Sequence, residues 1–221
     1  MRTIVVTGTG SVSAAPDYIT LYLTVEGTNA DYDLAVELSA QKITALQAAI
    51  ARADFKKKDL KTTGFNVDTR YENERTPEDL YRQVFAGYVC TYQLKLSFDY
   101  DAARLSRVLR AISESASLPE ISVSFTVKEP AAIKKELLVS AAENAREKAE
   151  ILCQASGVRL GKLQSIDYHR TDSSISSPTR CMSARDSMTA MGKCMQSIEM
   201  EPEDIALNDT ASFVWEIEDM Q

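Results

Sequence analysis

Histidine, the side chain that most often moves protons at neutral pH, is almost absent from this sequence. Its 221 residues contain one histidine, His169. A Ser/His/Asp triad or a Cys/His pair would have to use that residue, and no G-x-S-x-G motif accompanies it. Along its predicted strand, His169 is in phase with Ser165 and Asp167, so we expect its side chain to face solvent. We therefore predict no catalytic, cofactor-binding or metal-binding residues.

Carboxylates, the other common acid and base groups, cluster around Pro202, just before a predicted strand. The members of this cluster are Glu199, Glu201, Glu203 and Asp204. Because a proline and a strand start favour a turn here, we interpret the cluster as a solvated acidic loop and not as a catalytic pair.

Basic residues are outnumbered, and the net charge is −7. The one dense basic run, Lys56 to Lys58, is typical of a solvated turn. An acidic chain lacks the basic surface that dominates nucleic-acid affinity, so we expect no nucleic-acid partner. No stretch approaches the roughly 18 to 20 apolar residues of a transmembrane helix. No separate signal segment follows Met1, which predicts a cytoplasmic location, or the periplasm or cell envelope if a signal peptide was removed.

The four cysteines form neither a C-x-x-C motif nor a dense disulfide framework. Cys90 falls on the apolar face of a predicted strand, where it is expected to be a small buried hydrophobe. Cys153 lies beside Leu152 on a predicted helix. Only Cys181 and Cys194 are free to pair with each other. Reduced thiols are our expectation, which favours the cytosol.

Glycine and proline are scarce, with 8 and 6 residues, and no linker rich in them divides the chain. We therefore predict a single domain over residues 1–221. Gly8 and Gly10 do not make a dinucleotide-binding motif, because Ser13 replaces its third glycine and Pro16 leads into another strand. We interpret the two glycines as allowing a bulge or a close backbone approach in an edge strand.

Alternation between apolar and polar residues is what the sequence has in abundance. It recurs over residues 19–25, 88–98, 121–127 and 205–217, and a period of two places the apolar side chains on one face of a strand. Helical spacing marks residues 31–52, a short segment that includes 105–112, and 130–157. The prediction is an α+β fold with mixed, largely antiparallel sheets and one face covered by three helices, in the order β-β-α-β-β-α-β-α-β-β.

Two finer expectations concern the third strand and a repeat. The third strand carries Phe65, Val67, Thr69 and Tyr71 in alternation, and the polar stretch from Glu72 to Asp79 is predicted to be a loop. Two helix-strand-strand units, 31–98 and 130–218, suggest a loose internal repeat.

Several short motifs resemble, in order, those of the SIMPL-domain family. They are Val6–Gly10 with Pro16-Asp17, Leu60–Phe65, Gly87-Tyr88, the helix with Ala141, Ala145 and Lys148-Ala149, and its exit at Gly157 and Leu160-Gly161. The resemblance covers essentially the whole chain. It implies an α+β fold without established catalytic residues, and some members form ring- or channel-like homo-oligomers. Bacterial members are mostly envelope-associated and linked to oxidative-stress tolerance, and a eukaryotic member is an adaptor around a receptor-associated kinase.

Segment 178–200 is unusually rich in methionine and cysteine. Residues at steps of three and four, typical of one helical face, are Cys181, Ala184, Met188, Met191 and Met195. We predict a loop or short helix at 171–202 that packs in the core or between subunits, since flexible Met side chains suit adaptable surfaces. Sulfur is also a soft ligand for Cu(I) and a target of oxidants.

These observations predict a non-enzymatic, self-associating SIMPL-like protein with a role in stress tolerance or as a scaffold. Its partners would be further copies of itself, bound through residues 178–198, and possible protein ligands of that scaffold. The alternative is a soft-metal or redox-responsive module that uses segment 178–200, centred on Cys181 and Cys194.

Overall fold

The structure is a computed structural model that describes residues 2–75, 81–169, 175–179, 181–183 and 201–219. Its elements are β1 (Thr3–Ala14), β2 (Tyr18–Asn29), α1 (Tyr32–Ala51), a 3-10 turn (Lys57–Asp59), β3 (Leu60–Arg75), β4 (Tyr81–Asp99), α2 (Ala102–Ser113), β5 (Glu120–Thr126), α3 (Pro130–Ala155), β6 (Val158–Asp167), β7 (Cys181–Ser183) and β8 (Ile205–Asp219). The predicted α+β class and element order are confirmed, with the short strand β7 and the 3-10 turn as additions.

The strands form two sheets, with the order β1-β8-β6 in one and β3-β4-β2-β5-β7 in the other. The chain divides into two compact units that contain one sheet each. The first unit comprises Met1–Pro16, Thr126–Pro178 and Glu203–Gln221, and the second comprises Asp17–Phe125 and Thr179–Pro202. The single domain over residues 1–221 stays a prediction.

The first unit consists of the three-stranded sheet and helix α3. Alternate residues of β8 point to the helix, and α3 meets them with alanines. The buried residues of this core are Val6, Ala145, Ala149, Ala211, Phe213 and Trp215. The rings of Phe213 and Trp215 stack with their centroids 5.4 Å apart. Small residues on the helix and large ones on the strand thus fill the space together.

Close contact between two backbones fixes α3 on β1. A Cβ atom added to Gly8 would lie 2.0 Å from the carbonyl oxygen of Ala141, and one added to Gly10 would lie 2.0 Å from that of Leu137. Any side chain at these positions would therefore push the helix away. The predicted close approach in an edge strand is confirmed, and the helix occupies the space that a phosphate would need.

The second unit packs α1 and α2 on the five-stranded sheet. Asp31 caps α1 by accepting a hydrogen bond from the Leu34 amide, and Asp101 caps α2 by accepting one from the Arg104 amide. The largest fully buried side chains of this core are Phe125, Ile19, Leu21, Leu23, Leu46, Ile50, Leu96 and Ile112. They include the alternating residues of β2, so this strand is central to the core.

The two units share one topology. In the second unit, β2, α1, β3 and β4 follow one another and the strands are arranged β3-β4-β2. In the first unit, β1, α3, β6 and β8 are arranged β6-β8-β1. In each, a glycine of the first strand lies against the helix, since a Cβ on Gly27 would be 2.5 Å from the carbonyl oxygen of Ala35. The repeat expected at 31–98 and 130–218 therefore has a counterpart in sheet topology.

Two local predictions were wrong. The stretch from Glu72 to Asp79 is not a loop throughout, because β3 continues to Arg75, which pairs with Tyr81. Residues 76–80 lie outside the described part of the chain. The helical face expected to begin at Cys181 does not begin there, because Cys181–Ser183 is a strand that pairs with β5. Residues 184–200 also lie outside the described residues.

The contact between β1 and α3 predicts the effect of adding one methyl group. We expect Gly8→Ala to lower the free energy of unfolding by about 3 kcal/mol, because the new Cβ meets helix backbone and not a flexible side chain. Urea denaturation measures the change. The control Ser13→Ala, an exposed position on the same strand, should change stability by less than about 0.5 kcal/mol. Equal effects of the two substitutions would contradict the close approach.

Candidate functional site

The one histidine lies in solvent beside a carboxylate. His169 is 90% exposed, and its Nδ1 lies 3.2 Å from Oδ1 of Asp167, which is 70% exposed. The predicted solvent-facing orientation is confirmed. Among the described residues, no group of three or more His, Cys, Asp or Glu side chains could hold a metal ion.

The acidic cluster around Pro202 is a loop in its described part. Glu201, Glu203 and Asp204 are exposed and lie before β8, as predicted, whereas Glu199 lies outside the described residues. Burial raises the pKa of the Tyr100 hydroxyl, and the negative charge of Glu201 raises it further. Glu201 therefore acts on a neighbouring phenol, and the three described carboxylates are exposed to solvent.

Two of the four cysteines are buried free thiols. Cys90 accepts a hydrogen bond from the Ser39 hydroxyl at 3.1 Å, beneath α1. Cys153 is buried on α3, and burial raises the pKa of its thiol. The expectation for Cys90 is confirmed. The side chain of Cys181 and the whole of Cys194 lie outside the described part of the chain, so their pairing and the soft-metal alternative stay predictions.

Two side chains of α3 bind backbone groups in the middle of the free edge of β1. The Thr9 amide donates a hydrogen bond to Oδ1 of Asn144 at 3.0 Å, and Nζ of Lys148 donates one to the Thr7 carbonyl at 3.3 Å. These two bonds occupy polar backbone groups in the middle of the edge, which hinders pairing with another strand there. Lys148 also belongs to the SIMPL-like helix motif, and here its side chain joins α3 to β1.

The opposite situation holds at β3, the edge strand of the larger sheet. Among the described residues, no side chain from outside the β3–β4 hairpin is hydrogen-bonded to β3. The apolar residues of the strand, Phe65 and Tyr71, are 53% and 56% exposed. Edge strands of this kind are templates for pairing with another chain.

The hairpin extends beyond the rest of the sheet. Pairing between β2 and β4 ends where Asn29 meets Tyr88, whereas β3 and β4 remain paired to Arg75 and Tyr81. Residues 70–75 and 81–87 therefore form a two-stranded arm. An isolated two-stranded ribbon is marginally stable in water, so this arm is a natural place for further contacts.

Aromatic side chains line one face of the hairpin. We call Phe65, Tyr71, Tyr81 and Phe85 the hairpin patch. The ring centroids of Tyr71 and Phe85 are 6.0 Å apart, and those of Phe85 and Tyr88 are 5.3 Å apart. All four members of the patch are exposed by 45% or more. A cluster of exposed large apolar residues marks an interaction surface.

Sequence reasoning placed Phe65 and Tyr71 on an apolar strand face but did not identify this face as open. The period of two shows which residues share a face, and it does not show whether a helix covers them. The signal that could have found the patch is the shortage of helices. In the described part of the chain, three helices are available for the faces of two sheets, and α1 packs mainly on β2 and β4.

The sequence matches a known protein family over nearly its whole length. The sequence matches the SIMPL family, described as a protein of unknown function (DUF541), over residues 4–215. The chain belongs to the SIMPL family. The resemblance inferred from the motifs is thereby confirmed, and the family description assigns no activity.

Two relatives illustrate what this SIMPL protein is similar to. It is 27% identical to the 26 kDa periplasmic immunogenic protein of Brucella melitensis over 166 residues, which are 74% of this chain and 65% of that protein. It is 29% identical to the uncharacterized protein YggE of Escherichia coli K12 over 185 residues, which are 82% of this chain and 71% of YggE. The chain thus matches just under two thirds of the length of the Brucella protein.

The buried thiols predict a reactivity pattern. In a Cys181→Ser/Cys194→Ser background, Ellman's reagent should react with neither Cys90 nor Cys153 in the native protein and with both after unfolding in urea. A thiol that reacts rapidly in the native state would contradict the burial.

The raised pKa of Cys153 adds a pH dependence. The folded state holds the thiol proton to higher pH than the unfolded state, so stability falls as pH rises past the unfolded value of about 8.5. Between pH 7.5 and 9.5, the free energy of unfolding should therefore fall more steeply for the parent than for Cys153→Ala. Parallel slopes would contradict the assignment.

Proposed function

We propose that this SIMPL protein is non-enzymatic and acts by self-association, in stress tolerance or as a scaffold. The observation that carries the proposal is the hairpin patch on an open edge strand. Large apolar residues exposed together reduce solubility unless a partner covers them. The family description, which names no activity, and the absence of a metal-ligand cluster among the described residues are compatible with this function.

Segment 178–198 remains part of the proposal as a second contact region. Its first part, β7, is the edge strand opposite β3 in the larger sheet. A sheet with an interaction surface at each edge could join copies in both directions. Its Met and Cys residues would supply adaptable packing for such a contact.

For the location we propose the periplasm or cell envelope, which was the alternative expectation. The Brucella relative is named as a periplasmic protein, and this supports the alternative over the cytoplasm. No described helix is both long and apolar enough to cross a membrane. Fractionation of cells that express the gene with its natural upstream sequence tests this location, and recovery in the cytosol would contradict it.

The mass of the protein in solution tests self-association. We expect light scattering after size exclusion to give a defined mass well above the 24.4 kDa of one chain at micromolar concentration. Deletion of residues 178–198 should reduce that mass if the segment is a contact region. Phe85→Ser, which removes an aromatic ring from the hairpin patch, should also reduce it.

The control is Val139→Ser, an exposed apolar residue on α3 outside both regions, which should leave the mass unchanged. A monomer at every concentration tested would contradict the proposed function. An oligomer that is unchanged by the deletion would keep self-association and exclude segment 178–198 as its interface.

A further inference from the structure

The charged residues along the open edge of β3 indicate which strand can pair with it. We propose that β3 pairs with β3 of a second copy, antiparallel, around a two-fold axis at Thr69, so that the two large sheets become one continuous sheet. This inference rests on the proposed self-association and names its interface.

The strand is regular where the pairing would occur. The two irregularities of the β3–β4 ladder lie between Thr62 and Gly64, and between Arg70 and Tyr71. The first places its extra residue, Thr63, on β3, and the second places its extra residue, Ala86, on β4. Residues 64–75 of β3 are therefore an uninterrupted strand with a free side.

Geometry restricts the register of such a pair. A two-fold axis perpendicular to the sheet keeps the apolar faces of both copies on the same side. Residues directly opposite one another then lie on the same face of the sheet. At the axis, one residue must therefore lie opposite the same residue of the other copy, and the axis cannot fall between two successive residues. Each possible register is thus defined by the one residue of β3 that lies at the axis.

The charged residues of β3 favour one position of the two-fold axis. The polar face of the strand carries Asp68, Arg70, Glu72 and Glu74. With the axis at Thr69, Asp68 of each copy lies opposite Arg70 of the other. This gives two pairs of opposite charge and no pair of like charge. Opposite charges directly across a ladder stabilise the pairing.

Axes at neighbouring residues give less favourable pairs of charges. An axis at Asp68 or Arg70 places that residue opposite its own copy. An axis at Tyr71 pairs Arg70 with Glu72 but also Asp68 with Glu74, and these two carboxylates repel. An axis at Val67 gives the charged residues no charged partner. Thr69 is therefore the centre that the charge pattern favours.

The same register joins the apolar surfaces. On the apolar face, Val67 of each copy lies opposite Tyr71 of the other, and an aromatic residue opposite a β-branched one is a favourable cross-strand pair. Tyr71 is already in contact with Phe85 on its own hairpin. The two hairpin patches would therefore adjoin across the axis and form one apolar surface on the same face of the continuous sheet.

Charge reversal tests the register. Asp68→Arg and Arg70→Asp should each turn both opposite-charge pairs into like-charge pairs and weaken association through this interface by about tenfold. The double variant Asp68→Arg/Arg70→Asp restores both pairs and should regain the parent's association. Dissociation constants from sedimentation measure this.

Lys61→Asp is the matched control for Arg70→Asp. It changes the net charge by the same amount on the same strand, but it lies beyond Thr63 and outside the regular part. It should leave association unchanged. Within the protomer, Arg70 lies 3.0 Å from Glu72 and Asp68 accepts a hydrogen bond from Asn66, but these groups are exposed and contribute little to stability. At concentrations where parent and variants are monomeric, thermal unfolding of the reversed variants should therefore match the parent.

A cysteine at the axis provides a second, direct test. In the Cys181→Ser/Cys194→Ser background, Thr69→Cys brings two thiols opposite each other. Opposite Cα atoms are about 4.5 to 5.5 Å apart, within the range for a disulfide. Mild oxidation should give a covalent dimer. In the control Asn73→Cys, the two cysteines are eight residues out of register, about 27 Å apart, and should not join.

The outcomes separate this inference from the proposed function. A monomeric parent overturns both. An oligomeric parent whose association is unaffected by Asp68→Arg and Arg70→Asp, or in which Thr69→Cys crosslinks no faster than Asn73→Cys, overturns the β3 interface and leaves self-association standing. Weakening by each single reversal with recovery in the double variant supports the register.

Discussion

The contact between strand glycines and helix backbone is the constraint on which both units depend. Gly8 and Gly10 bring α3 onto β1, and Gly27 brings α1 onto β2. Each helix is thereby centred over the first strand of its unit. In the larger sheet, β3 lies two strands from β2, about 9.5 Å away, whereas a helix with its side chains reaches about 5 to 6 Å to either side. The exposure of the apolar face of β3 follows from where the glycine places the helix.

Much of this fold could be predicted from alternation and helical spacing. Alternation over residues 205–217 predicted β8, and alternation over residues 19–25 predicted β2. Pro130 and Gly157 predicted the ends of α3 to within two residues. These elements are predictable because one face of each is buried and the sequence records that burial. The division into two units was not predictable, since it depends on pairings such as Thr3 with Glu216, far apart in the chain.

The parts that escaped prediction share a physical cause. The continuation of β3 through Glu72 and Glu74 depends on backbone hydrogen bonds to β4. On an exposed ribbon, polar side chains are compatible with these bonds, so the polar stretch did not mark the end of the strand. The strand at Cys181 is three residues long and depends on an existing edge at β5, so local spacing carries no signal for it. Likewise, alternation in β3 showed the apolar face containing Phe65 and could not show that the face is open.

The interleaving of the two units has a consequence for synthesis of the chain. The strands β2, β3 and β4 are complete by Asp99, so the larger sheet can begin to form early. The central strand of the smaller sheet, β8, is made about 200 residues after β1. At ordinary translation rates this delay is on the order of 10 to 40 s. During that time β1, with its apolar run Ile4 to Val6, has no partner strand on the ribosome, and a nascent-chain chaperone would find its target there.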